Sequence, residues 1–212
     1  MTNIAVLGSG RVGGTLAAKF AEAGHEVAIG SRNPTEVSAA WEGRPVTVTT
    51  PADAVRAASV VVNATPGDSS VDRLRALGDE LSGKILIDVA NATERGPGGM
   101  PGPLTYPNSS LAEHLQAALP DTKVVKALST MLFPVMTDPH RLKEAPRAFL
   151  SGDDDDAKAE VTGLLGDLGW PAEWIEDLGD VTTARGPEAG MLLATAIMRR
   201  RGMVPFALTI AL

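Results

Sequence analysis

The amino-acid sequence predicts an α/β fold, a doubly wound parallel sheet with a small C-terminal helical extension. Three observations carry that prediction. Short apolar runs alternate with apolar stripes at helical spacing from Ile4 to Leu168. The first run passes through a glycine turn straight into a helix. The composition, 44% hydrophobic and 21% charged over 212 residues, is that of an ordinary globular chain and makes disorder or fibrous structure poor readings.

Ile4-Ala-Val-Leu7 is a strand that ends at Gly8, and Val12, Leu16 and Phe20 then recur at fourfold spacing, the stripe of a helix lying on a sheet. Val27-Ala-Ile29 follows the Gly24-His25 turn, and Asn33-Pro34 caps and starts a second helix that runs to about Trp41. Val46 to Val48 is the third strand, Pro51 opens a short helix, and Val60-Val-Val62 is a buried strand. Val71, Leu74, Leu77 and Leu81 stripe the next helix, and Ile85-Leu-Ile87 is the strand after it. Strands that alternate with helices in this way pair in parallel.

From Asn91 to Ser109 the composition turns to Gly, Pro and polar residues, including the run Arg95-Gly-Pro-Gly-Gly-Met-Pro-Gly-Pro103. That is far longer than the usual connection of about 4 to 6 residues, and such loops are more often functional than idle. Leu111, Leu115 and Leu119 mark a helix, Val124-Val125 a strand, Phe149-Leu150 another, and Val161, Leu164, Leu165 and Leu168 a helix. Asp153 to Asp156 stand at the start of that last helix, where carboxylates complement the dipole. The final helix, about Pro187 to Arg200, carries Met191, Leu192, Leu193, Ile197 and Met198 on nearly all sides, so it is expected to be buried within the fold or between subunits.

Charge and composition exclude several functions. With Lys+Arg 19 against Asp+Glu 26 the net charge is -7, which argues against nucleic acid as a partner. No apolar run approaches the about 18 residues of a membrane span, and no basic segment precedes the first strand, so a cytoplasmic location without membrane attachment is expected. The absence of cysteine removes disulfides, thiolate catalysis and thiolate-bound metal. His25, His114 and His140 lie far apart, and the four consecutive aspartates lack the spacing of a calcium loop, so no metal site is expected. Gly78 to Lys84 imitates a phosphate loop, but Ile85 stands where Mg²⁺ binding needs Ser or Thr.

The chemistry lies in Gly8-Ser9-Gly10-Arg11-Val12-Gly13, a GxGxxG that ends a strand and opens a helix, which is the setting of a Rossmann dinucleotide site. Gly8 permits the tight turn, Gly10 lets the backbone approach a pyrophosphate, and Gly13 lets the helix pack closely. The phosphates would sit on the helix N-terminus. At the end of the second strand an NAD site usually carries an acid for the ribose hydroxyls. Here Ser31 and Arg32 occupy that place, a hydroxyl and a guanidinium suited to the 2′-phosphate of NADP, while Glu26 comes too early in the strand. Arg32 also reads as a solvated helix-start residue. Ala64, Thr65 and Pro66 end the fourth strand and Asn91 follows the fifth, at the sheet edge where ligands bind. The other reading of Thr65, Pro66 and Asn91 is as turn residues.

The segments Gly8 to Gly13, Gly24-His-Glu-Val27, Gly30-Ser-Arg32, Thr65-Pro66, Lys126-Ala-Leu-Ser-Thr130 and Gly152-Asp-Asp-Asp155 occur in an order that resembles the NADPH-dependent coenzyme F-420 reductases. The resemblance covers nearly the whole chain and extends to Met198-Arg-Arg-Arg-Gly-Met203. It implies an NADP-binding domain over residues 1–140. A small C-terminal part, 141–212, would complete the substrate pocket and a homodimer interface, with hydride passing between NADP(H) and coenzyme F-420. By position, Ser129, Thr130, Met131, Met203 and Phe206 would line the deazaflavin pocket. Pyrroline-carboxylate and ferric reductases are related and share a similar N-terminal half.

The sequence shows no acid–base pair, and no residue is assigned a catalytic role. Lys126 stands as a candidate proton donor or as an ordinary strand-start charge. Arg199, Arg200 and Arg201 meet either the anionic tail of coenzyme F-420 or the dipole of their own helix C-terminus. Beside deazaflavin reduction, two functions stay open: NADPH-dependent reduction of a small imine, a carbonyl compound or ferric iron, and an NADP(H)-sensing binding protein.

Overall fold

A computed structural model describes residues 1–96 and 100–210; Pro97, Gly98 and Gly99 of the Gly/Pro-rich run lie outside the described residues. Strand β1 (Asn3–Leu7) leads into helix α1 (Arg11–Glu22), then β2 (Glu26–Gly30), α2 (Pro34–Ala40), β3 (Thr47–Thr49), α3 (Pro51–Ala57) and β4 (Val60–Asn63). After a 3₁₀ turn come α4 (Ser70–Arg75), α5 (Gly78–Leu81) and β5 (Ile85–Asp88), so the single helix expected over Val71 to Leu81 is broken at Ala76 and Leu77.

Two short strands follow, β6 (Thr93–Arg95) and β7 (Pro101–Leu104). They pair antiparallel, Thr93 opposite Leu104 and Arg95 opposite Pro101, where the composition suggested only a loop. The chain continues through α6 (Leu111–Ala118), β8 (Lys123–Lys126), α7 (Phe133–Met136), β9 (Ala148–Leu150), α8 (Asp155–Asp167), β10 (Ile175–Asp177) and α9 (Arg185–Arg201).

The central sheet is parallel throughout, in the order β3-β2-β1-β4-β5-β8. Alternate side chains of each strand enter two separate cores. Ile4, Val6, Val60, Val62, Ile85 and Ile87 face one side with Leu16 and Phe20 of α1 and Val161, Leu164 and Leu165 of α8. Ala5, Leu7, Val61 and Leu86 face the other with Ala54 and Val55 of α3, Leu74 of α4, and Leu111 and Leu115 of α6. Both faces are therefore buried, which is why the strands read as continuous apolar runs. Asp154 caps α8, its carboxylate accepting from the Ala157 N–H at 2.7 Å.

The C-terminal part is tied to the sheet in two places. Ser151, just past β9, bridges to Lys126, the last residue of β8. After α9 the chain returns to pair with the turn beyond β8: the Leu132 N–H donates to the Phe206 carbonyl at 3.0 Å and the Leu208 N–H to the Thr130 carbonyl at 2.9 Å. Helix α9 packs along β7 and buries Glu188, Ala194, Thr195 and Met198, yet Leu192 and Leu193 are 50% and 58% exposed. Within one chain it is thus a half-covered helix. No described helix is long and apolar enough to cross a membrane.

Candidate functional site: a nucleotide cleft and a charged edge

The strand order reverses between β1 and β4, and the crevice outside the carboxyl ends of the strands at such a point is where open α/β sheets bind ligands. There the glycine turn is held by its own geometry. Gly8 adopts φ +110 and donates its N–H to the Gly30 carbonyl at 3.3 Å. A Cβ on Gly13 would lie 1.8 Å from the Gly8 carbonyl oxygen, so helix and turn can touch only without one. At Gly10 a Cβ would meet no atom within 4 Å, which leaves the backbone open on the side a ligand would approach. Helix α1 begins with no side-chain cap and no acid in its first turn, so its first N–H groups and its positive dipole end face the crevice.

The crevice is a cleft of about 910 Å³. One end is the glycine turn from Gly8 to Val12; a side wall is Ser31, Arg32 and Asn33 beyond β2; Ala64, Thr65 and Pro66 close the opposite side. The Ser31 Oγ accepts the Asn33 N–H at 3.1 Å, which fixes the hydroxyl at the cleft wall, while Arg32 is exposed and has no carboxylate within ion-pair distance among the described residues. Arg11 also lines the cleft and lies over the Phe133 ring at 5.7 Å. Sequence reasoning missed Glu36 of α2, Thr50 to Ala52 at the start of α3, and Arg73 of α4, which complete the walls. Arg73 donates from Nε to the Ser69 Oγ at 3.0 Å and, like Arg32, has no carboxylate within ion-pair distance among the described residues. In the sequence it is one more charge on a helix stripe, so nothing marked it.

Gly13 and Asn91 do not line the cleft. Gly13 stands behind the turn, and Asn91 belongs to the far edge of the sheet, where its Nδ2 donates to the Ser129 carbonyl at 2.7 Å. Ser129, Thr130 and Met131 are buried in the same turn, and Met131 bridges to Ala207 beside Phe206. The structure therefore brings Asn91, Ser129, Thr130, Met131 and Phe206 to one place, whereas Met203 is 50% exposed on the turn after α9. The Asn91 Oδ1 and Thr130 Oγ1 atoms are buried there with no hydrogen-bond partner. Leu128, which enters this turn, has φ +55, a left-handed conformation that costs a branched residue energy and clusters at functional sites.

Behind the turn lies a group of buried charges. Lys126 Nζ is 2.8 Å from Asp88 Oδ2 and 2.8 Å from Glu188 Oε1, and it also donates to the Ala90 carbonyl. Burial works to strip the ammonium of its proton, but the facing carboxylates outweigh it and hold Lys126 charged more firmly than a free lysine. For Asp88 burial prevails, lifting its carboxyl above the ordinary range against the pull of Lys126 and Asn63. With all three N–H groups committed, Lys126 is neither a free proton donor nor an ordinary surface charge at the start of a strand; it ends β8 at 1% exposure. A charge at the end of the Ile85 run and another in the apolar last helix were the signals that could have revealed its partners.

A glycine turn on a bare helix N-terminus, a reversal of strand order and an adjoining nucleotide-sized cleft define a Rossmann-type dinucleotide-binding protein. The profile of the family described as NADP oxidoreductase, coenzyme F420-dependent, matches residues 3–92. A solved structure from Arthrobacter sp. FB24, provisionally described as an F420-dependent NADP-reductase, is 41% identical, covers 100% of both chains and superposes with a TM-score of 0.92. The chain belongs to this family of NADP-dependent oxidoreductases. Among curated relatives, metalloreductase STEAP3 of Rattus norvegicus is 29% identical over 88% of this chain and 36% of its own length. The F420-dependent NADP reductase of Methanocaldococcus jannaschii is 27% identical over 55% of this chain and 52% of its own. The chain thus spans between a third and about half of the length of these curated relatives.

Proposed function

We propose that this protein is a cytoplasmic homodimeric oxidoreductase that passes hydride between NADP(H), bound in the cleft, and the deazaflavin coenzyme F-420, bound at the Asn91 and Ser129 edge. Residues 1–140 form the cofactor domain, and 141–212 complete the pocket and the dimer contact. The observation that carries the cofactor choice is the end of β2: Ser31 and the uncompensated Arg32 stand in the cleft wall where an NAD site needs a carboxylate. The family membership and the Arthrobacter likeness support the deazaflavin.

The cofactor supplies the hydride; the chain supplies position. The α1 N-terminus and the Gly8 to Val12 backbone hold the pyrophosphate, Ser31 and Arg32 hold the 2′-phosphate, and Thr65 and Pro66 shape the middle of the cleft. Hydride transfer between two stacked aromatic rings needs orientation and exclusion of water more than an acid or base, and Ser129, Thr130 and Met131 are buried at that edge.

The test is the absorbance of oxidised coenzyme F-420 with NADPH: bleaching that depends on the protein is expected. NADPH binding without bleaching would overturn the deazaflavin reading in favour of an imine, carbonyl or ferric substrate; the STEAP3 relative carries the name metalloreductase. NADPH bound with no turnover of any acceptor would mark a sensing protein. Arg32→Ala is expected to weaken NADPH binding by about 1–3 kcal/mol, the worth of a hydrogen bond to a charged group, and to leave NADH unchanged. Equal loss for both in calorimetry would remove the NADP assignment. Leu192 and Leu193 on α9, with Met203, Val204 and Ile210 beyond it, are exposed apolar residues near the C-terminus and support the dimer, and light scattering at the mass of one chain would exclude it.

A further inference from the structure

We infer that the buried triad of Asp88, Lys126 and Glu188 is a positioning device for the nicotinamide half of the cofactor, holding the two turns that follow β5 and β8. The inference rests on the cofactor reading above and concerns residues that line no part of the cleft.

The two halves of a doubly wound sheet each take one mononucleotide, so with the adenosine beside β2 the nicotinamide would lie beyond β4, β5 and β8. The turns at that edge are pinned from below. Lys126 holds the Ala90 carbonyl, and the Ala90 N–H donates to Asp88 Oδ1 at 3.3 Å, so both polar groups of the residue before Asn91 are fixed by the triad. Asn91 then holds the Ser129 carbonyl, and Lys126 itself begins the turn that carries Leu128 in its left-handed conformation. The same network reaches the cleft: Asp88 Oδ1 accepts from Asn63 Nδ2 at 2.8 Å, and Asn63 Oδ1 accepts the Thr65 hydroxyl at 2.7 Å. On the other side Glu188 Oε2 accepts the Leu111 N–H at 2.8 Å, so α9 is seated on the N-terminus of α6 by the carboxylate that faces Lys126.

Stability is a poor reason for such an arrangement. Well-packed apolar residues in place of a buried ion pair are often as stable or more so, because desolvation of the charges offsets their attraction. What ions do better is fix one geometry, through directional bonds to named atoms. Here those atoms are the Ala90 carbonyl and the α6 N–H groups, and the geometry they fix is that of a strained turn with two unpartnered polar atoms, Asn91 Oδ1 and Thr130 Oγ1.

Glu188→Gln tests this with little change of shape. The amide presents an N–H₂ either to the Lys126 ammonium or to the Leu111 N–H, donor against donor in both cases, so the seat of α9 must shift. Two probes separate the halves of the cofactor: NADPH, and adenosine 2′,5′-bisphosphate, which carries only the adenosine end. In calorimetry the bisphosphate is expected to bind within about twofold of wild type. The rise in nicotinamide fluorescence on NADPH binding should be lost, and kcat for hydride transfer should fall on the order of tenfold to a hundredfold, the cost of misplaced reacting atoms. Asp88→Asn, which leaves the Lys126–Glu188 pair intact, serves if the first variant does not fold and is expected to split the probes in the same way. Both probes weakening in step, or neither changing while the fluorescence rise persists, would overturn the proposal. Wild-type protein that binds neither probe would remove the cofactor reading itself.

Discussion

Gly13→Ala is expected to abolish NADPH binding and to lower the melting temperature. The added Cβ would lie 1.8 Å from the Gly8 oxygen and 2.9 Å from the Gly8 carbonyl carbon, and both are backbone. Overpacking that neighbouring side chains can absorb costs about 1–3 kcal/mol. Here no side chain can move out of the way, so the start of α1 must leave the end of β1, and the N–H groups that face the cleft go with it. Gly10→Ala is the matched control. Its Cβ meets no protein atom within 4 Å, so the melting temperature should hold while NADPH binding weakens, because the methyl group would enter the space proposed for the pyrophosphate. Thermal unfolding and a fluorescence titration of both variants check the pair; a Gly13→Ala protein with wild-type affinity would mean that the turn does not hold phosphate.

Lys126→Met is expected to cost about 3–5 kcal/mol of stability, the penalty for removing one partner of a buried ion pair. It leaves Asp88 and Glu188, 0% and 4% exposed, facing each other with no cation between them. The pH dependence has a definite sign. A carboxyl lifted by burial above its unfolded value is best tolerated protonated, so its contribution is fully present in acid and is lost as pH rises through the lifted value. Lys126 opposes that lift in the wild type, so its removal raises the Asp88 carboxyl further; the deficit of Lys126→Met against wild type should therefore widen as pH rises, and adding Asp88→Asn should recover part of it. Denaturant unfolding at several pH values measures this. A deficit that stays flat with pH would show that the carboxylates are not ionised partners of Lys126.

The order of the strands of the central sheet and of the helices between them was legible because it is written in local spacing; β6, β7, α7 and β10 were not. Val12, Leu16 and Phe20 form a stripe whatever lies around them, and a run such as Val60-Val-Val62 needs cover on both faces whichever helices supply it. Much of the cleft wall was legible for the same reason: Gly8 and Gly10 fall in one local turn, and Ser31 and Arg32 sit where β2 must end.

Tertiary structure decided what depends on distant partners. The Gly/Pro-rich stretch pairs as β6 and β7 beside α9, although its composition favours a loop, because the last helix offers it a surface to pack on. Arg73 and Glu36 each read as one more charge on a helical stripe, and only the folded chain brings both to the wall of one cleft. Lys126 read as a solitary charge until Asp88, 38 positions earlier, and Glu188 of the last helix closed around it. Hydrophobic periodicity is a property of one segment, but the cost of burying a charge depends on which carboxylate or amide meets it. By itself this chain determined the fold and the glycine turn before α1; the charged edge beyond β5 and β8 was decided only when segments far apart in sequence supplied the partners that make burial tolerable.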